Sequence, residues 1–195
     1  MQFFCTLVGY TVRAGFTRLD AGRGRIYSRP HRTGLPNAKE ATMELTSTVD
    51  IDAPADRIYP LFLDATMDER IPLPFRFGLP KAVSCSIIDG DGGVGSIRRC
   101  ITTRGFMDQV IEGAEPGQRF AYRLIDSDYW GQPFIGHVAD EITLSPLPGG
   151  RTRVRRVTSF DARGILRWPA RIIMRQGFRH AHSYANENWR RIATA

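Results

Sequence analysis

Near the C-terminus, His180, Tyr184 and Asn188 are spaced four apart, so on a helix they would form one ridge. A histidine–tyrosine pair on such a ridge can move a proton if it faces a cavity. Set among arginines, His180 more commonly takes a solvated or helix-capping position. His182 lies two residues further on and is expected to face elsewhere, which leaves no two-histidine metal site. Upstream, Arg156 and Thr158 share the inward parity of Val154 and Phe160, which offers Arg156 to an anionic or carbonyl group. The favoured alternative is an ion pair across strands with Glu141 or Asp140. Tyr122 falls in step with Phe120 and Leu124, as cavity wall with a hydroxyl handle or as plain core. Asp108 and Glu112 align with Val110; an inward carboxylate there would serve as acid or base, an outward one would be solvated. His137, between Gly136 and Val138, suits either face. The candidate ligand-binding set is Tyr122, His137, Arg156, His180 and Tyr184, with no catalytic residue, metal or cofactor assigned. No HExxH, GxSxG, phosphate-loop or dinucleotide fingerprint occurs, and Gly90–Gly93 has no following helix and reads as a turn.

The elements that must carry these side chains are legible from periodicity. Glu44–Ile51 alternates as a half-buried strand. Asp52 is placed to cap a helix whose first turn accepts Pro54, and Ile58, Leu61 and Phe62 follow at helical spacing. Asp64 is expected to open a second short helical piece ended by Pro72 and Pro74. Strands are then predicted over Ala82–Ile88, Val94–Thr103, Phe106–Glu112, Arg119–Ile125, Ile135–Leu144 and Arg151–Phe160, giving seven with the first. Short turns between them, such as Asp89–Gly93 and Pro146–Gly150, imply antiparallel neighbours. From Ile165 to Ile192 the period changes to that of one long amphipathic helix, with an apolar stripe through Leu166, Ala170, Ile173, Gly177, Ala181, Tyr184 and Trp189. Such a helix needs a broad apolar surface, and the concave face of the sheet is the one available.

Composition narrows the class further. The net charge of +7 divides into +5 over residues 1–42 and +2 over residues 43–195, so the basic excess sits outside the domain and nucleic acid is not an expected partner. No window is apolar enough for a membrane span. Residues 1–42 are Arg-rich and acid-poor, as in a transit peptide, though a flexible tail or a start called upstream of Met43 is the favoured reading. The three cysteines, Cys5, Cys85 and Cys100, show no CxxC spacing, which points away from a disulfide framework and toward a reducing cytoplasm. Oligomeric state is left open.

Strand, two short helices, six strands and a long helix is an order that resembles the SRPBCC superfamily of START-like and polyketide cyclase/dehydrase-like proteins. The likeness rests on Val49-Asp-Ile-Asp-Ala-Pro-Ala-Asp-Arg-Ile-Tyr59, Gly93-Val-Gly-Ser-Ile-Arg98, Glu115-Pro-Gly-Gln-Arg-Phe-Ala-Tyr122, Gly149-Gly-Arg-Thr-Arg-Val154 and Asn188-Trp-Arg-Arg-Ile192. It spans about residues 43–193. The resemblance implies an α+β helix-grip fold, a curved seven-stranded antiparallel sheet wrapped around the C-terminal helix with a cavity between them. It also implies a small hydrophobic ligand such as a lipid or polyketide. Two further readings stay open: a cyclase/dehydratase using an acid–base pair such as Glu112 with His137 or His180, and an interaction protein of the quinone-chaperone or ribosome-associated type. The superfamily has no universal catalytic motif, so it assigns no catalytic residue.

Overall fold

The structure is a computed structural model that describes residues 42–76, 79–129 and 131–195. The basic stretch 1–41 lies outside the described residues, and with it the expectations about a leader. Strand β1, Met43–Ile51, buries Leu45, Val49 and Ile51 and exposes Glu44, Thr46 and Thr48, as its alternation requires. Two four-residue helices follow, α1 (Ala55–Ile58) and α2 (Pro60–Leu63). Asp52 does not cap α1: the N-cap is Pro54, with no side-chain cap bond. Asp64 does not open a helix either. It ends α2, and the chain turns into a two-residue strand, β2 (Ala65–Thr66), whose backbone pairs with Cys85 and Ser84. A further short helix, α3 (Leu73–Arg76), lies beyond Pro72.

Strands β3 (Ala82–Asp89), β4 (Ile97–Thr102), β5 (Gly105–Glu115), β6 (Arg119–Ser127), β7 (Ile135–Leu147) and β8 (Arg151–Ala162) complete a curved antiparallel sheet. Its order is β1-β8-β7-β6-β5-β4-β3-β2. The turn between β3 and β4 is longer than its sequence suggests. Gly95 takes φ +93°, and Ser96 Oγ accepts from the Gly92 amide at 3.0 Å, so Val94 belongs to the turn and β4 starts at Ile97. Helix α4, Arg167–Ala193, closes the fold, with Pro169 in its first turn where a missing N–H costs nothing. Among the described residues no helix is long and apolar enough to cross a membrane.

The two halves of α4 do different work. Its C-terminal half packs: Ala185, Trp189 and Ala193 join Ile51, Ile58, Phe62, Ile111, Phe120, Ile142 and Val154 in one core. Trp189 meets the Phe62 ring edge-on with centroids 5.0 Å apart. Its N-terminal half spans the sheet without filling the space beneath it.

One expectation fails here. Cys85 and Cys100 are directly opposed on β3 and β4, with Cα atoms 4.0 Å apart, and form a disulfide. Register creates the pair, not sequence spacing, since the two cysteines are 15 residues apart. The cysteine argument for a reducing compartment thereby loses its basis.

Candidate ligand-binding cavity

Between β3–β8 and the N-terminal half of α4 lies a cavity of about 420 Å³, the size of a small-molecule site. Its walls are mostly aliphatic and aromatic, including Phe75, Met107, Leu124, Val138, Met174 and Phe178. Leu166, Ile173 and Phe134 line it and are also exposed, Ile173 by 63%. The cavity therefore meets solvent between the start of α4 and the Gln132–Phe134 turn that precedes β7. The disulfide lies in the wall, since both Cys85 and Cys100 line it.

Polar groups gather at one end. Arg156 on β8 donates from Nε and an Nη to the two oxygens of Asp140 on β7, at 2.9 and 2.8 Å. The same Nη donates to the Tyr122 hydroxyl at 3.1 Å. Thr158 donates to Asp140 Oδ1. Because that hydroxyl has spent its proton, it must accept from His182 Nε2 at 2.6 Å, which fixes the imidazole as the Nε2–H tautomer. Burial pushes the Asp140 carboxyl up, but the Arg156 charge and hydrogen bonds outweigh it and hold it at about 2. Burial raises the Tyr122 phenol to about 12. This end of the cavity is a closed network in which the carboxylate is fully engaged.

Burial, then the nearby Arg156 charge, push His182 down to about 3. The unfolded chain therefore binds a proton there at a pH where the folded protein does not. Stability is expected to fall as pH drops from about 6.5 toward 4, with a slope approaching about 1.4 kcal/mol per pH unit. Asp140, depressed to about 2, stays charged across that window and adds its loss only at lower pH. Urea unfolding at stepped pH checks this, and His182→Gln should flatten the profile.

Arg98 on β4 differs from Arg156. It is 8% exposed and lines the cavity, yet among the described residues no carboxylate pairs with it. Its guanidinium carbon lies 5.1 Å from the Tyr122 ring centroid and 5.6 Å from that of Phe120. One Nη approaches Cys100 Sγ at 3.2 Å, and Nε–H is buried with no acceptor. Burial lowers its pKa, the direction expected for a cation held out of water without a counter-ion. An arginine kept this way is a standing donor for an incoming anion or carbonyl oxygen.

The residues singled out in the sequence fall in different places. Tyr122 and Arg156 meet at the polar end. Tyr184 lines the cavity, but its hydroxyl donates to Asp68 Oδ1 at 2.8 Å and so tethers the loop before α3. His180 is exposed and is not among the lining residues: the inward stripe of α4 runs through Ala170, Gly177 and Ala181, and His180 falls on its margin. His137 is also outside the lining. Val138, Asp140 and Ile142 face in, so alternation turns His137 outward, 3.4 Å from Ser159 Oγ. Asp108 and Glu112 are not inward acids either, being paired with Arg99 and Arg123 at 2.7 Å each.

Residues 42–194 match the protein family described as "Polyketide cyclase / dehydrase and lipid transport". The chain belongs to that family. A curated relative, "Ribonuclease 1" of Panax ginseng, is 30% identical over 135 residues, covering 65% of this chain and 79% of that protein. The aromatase/cyclase Zhui of Streptomyces sp. R1128 shares the fold with a TM-score of 0.59 at 16% identity, over 78% of this chain and 94% of that one. A START superfamily protein of Mycobacterium smegmatis does so at 0.56 and 12% identity, over 77% and 97%. Ara h 8.0201 gives 0.56 at 13% identity, over 78% and 96%. For a polyketide cyclase/dehydrase-like protein the long helix and curved sheet are thus the frame shared with these structures.

Proposed function

We propose that this protein binds an apolar small molecule carrying one anionic or strongly polarised carbonyl end, with the apolar body in the cavity and the polar end on Arg98. The observation that carries this is the Arg98 guanidinium, which lines a mostly apolar cavity, has no paired carboxylate among the described residues and leaves its Nε–H without an acceptor. Arg156 cannot take that role while Asp140 occupies it bidentately. Calorimetric titration with dodecanoate and dodecanol, equal in chain length, tests the reading. Dodecanoate should bind about tenfold or more tighter, the size of a hydrogen bond to a charged group. Equal affinities, or no binding of either, would overturn it.

A second reading is cyclase-like chemistry, favoured by Arg98 stacked on the Tyr122 ring with both residues lining the cavity. Together they could stabilise an enolate oxygen, as preorganised donors do for developing charge. Its weak point is the base: Asp140 is held by three hydrogen bonds and His182 lies behind Thr158. Turnover of a poly-β-keto thioester above its spontaneous rate, lost in Tyr122→Phe, would support it. The name of the ginseng relative brings a ribonuclease reading, which the site does not favour. Its unpaired cation lies inside an apolar cavity, not on a face that could track phosphates.

A further inference from the structure

The disulfide sits where the anion is expected. Cys100 Sγ is 3.2 Å from an Arg98 Nη and 3.8 Å from Gln109 Oε1, and both cysteines form cavity wall. A disulfide sulfur is neutral and gives the guanidinium no counter-charge. A thiol at the same place would be beside a buried cation, the setting that converts thiol to thiolate.

We propose that Cys85 and Cys100 form a thiol–disulfide site that sets the cavity's affinity for an anionic ligand: while oxidised, Arg98 is unpaired and takes the anion; when reduced, Cys100 supplies Arg98 with an anion of its own. The inference rests on the reading of Arg98 as ligand anchor. The step is thiol–disulfide exchange with a small dithiol. Its two sulfurs give up two electrons and two protons and close into a ring disulfide. The protein's S–S bond breaks, Cys85 and Cys100 become thiols, and Cys100 then releases its proton to solvent as it pairs with Arg98. Linkage makes the effect reciprocal, so a bound anion protects the disulfide by the same factor by which reduction weakens binding.

The charged and titratable groups that line the cavity with this pair are Arg98 on β4, Tyr122 on β6, Asp140 on β7, Arg156 on β8 and Tyr184 on α4; buried Lys81, just before β3, lies over the Tyr184 ring, and His182 on α4 lies behind Thr158. Tyr122 at about 12, Asp140 at about 2 and His182 at about 3 hold one state between pH 5 and 9. Burial and donation to Asp68 push Tyr184 up as well. Burial lowers Lys81, so a pH response in that window is assigned to the thiol where Cys85→Ser shows it and Cys85→Ser/Cys100→Ser does not.

The test uses the full chain with Cys5→Ser, so that Cys5 does not report. Dodecanoate affinity is measured oxidised and after dithiothreitol, expecting about a tenfold loss on reduction, within the usual range of site-to-site coupling. Cys85→Ser, which leaves Cys100 as the sole thiol, should lose affinity as pH rises from 5 to 9. The Cys85→Ser/Cys100→Ser protein should show neither a dithiol response nor that pH dependence. A ligand-free arm follows iodoacetamide alkylation of Cys100 in Cys85→Ser. Its midpoint should lie a pH unit or more below an ordinary thiol near about 8.5, and Arg98→Met should restore it. Unfolding midpoints taken alongside separate lost binding from lost fold. Failure of the oxidised protein to prefer dodecanoate overturns the underlying function, whereas a preference that survives reduction, or an ordinary Cys100 midpoint, overturns this proposal alone.

Discussion

Replacing Arg98 by methionine is expected to stabilise the protein while abolishing its preference for dodecanoate over dodecanol. The two effects share one cause. Arg98 is almost wholly buried, its Nε–H has no acceptor, and no carboxylate among the described residues neutralises it. The Phe120 and Tyr122 ring faces offset part of the desolvation cost. A cation held this way is nevertheless a net loss to the apo protein, and buried charges exchanged for apolar residues of similar volume often gain about 1–4 kcal/mol. For a domain of this size that is a rise of several degrees in the unfolding midpoint. Dodecanoate should weaken to the level of dodecanol, which itself should be little changed. A residue whose removal stabilises the fold and erases charge selectivity is serving the ligand. A purely structural arginine would show the opposite sign on stability.

Asp140→Asn should be the most damaging single change at the polar end, costing about 3–5 kcal/mol. The side-chain size is kept, so the cost is electrostatic. Asp140 receives two hydrogen bonds from Arg156 and one from Thr158, and its loss leaves Arg156 buried without a counter-ion. The Thr158 proton loses its carboxylate too, and the hydroxyl that holds His182 Nε2 is no longer oriented. If the penalty is the orphaned charge, Asp140→Asn/Arg156→Met should recover most of it, and the double-mutant cycle measures the coupling directly. Urea unfolding of the three proteins gives the numbers. Two arginines in one cavity are thus expected to respond with opposite signs, because one is paired and the other is not.

The frame was written plainly in the chain and the site only partly. The alternation of Glu44–Ile51, the Gly-rich turns and the long amphipathic run after Gly164 correspond to β1, the antiparallel meander and α4. Parity also put Tyr122 and Arg156 on the inward face, where they meet. Arg98 escaped notice because β4 runs against the usual pattern. Arg98, Cys100 and Thr102 are buried while Ile101 is exposed, so an apolar-inward reading of Ile97–Thr102 selects the wrong side. Two adjacent arginines, Arg98 and Arg99, were the available signal: on a strand one of them must face in. The disulfide and the His182–Thr158–Asp140 chain depend on register between strands and on how α4 rotates over β8, and neither is set by local periodicity. A four-residue spacing correctly grouped Tyr184 with Asn188 on a buried face. It could not show that the stripe passes His180 by and that His182, on the other margin, packs against β8.

The central claim is that the Arg98 guanidinium receives the ligand's charged end. The most direct measurement is the proton–nitrogen correlation of arginine Nε groups, with the Arg98 signal assigned by its absence in Arg98→Met. On titration with dodecanoate that signal should move downfield and saturate with the binding isotherm, and it should stay in place with dodecanol. Saturating binding of dodecanoate that leaves the Arg98 signal unmoved would contradict the account.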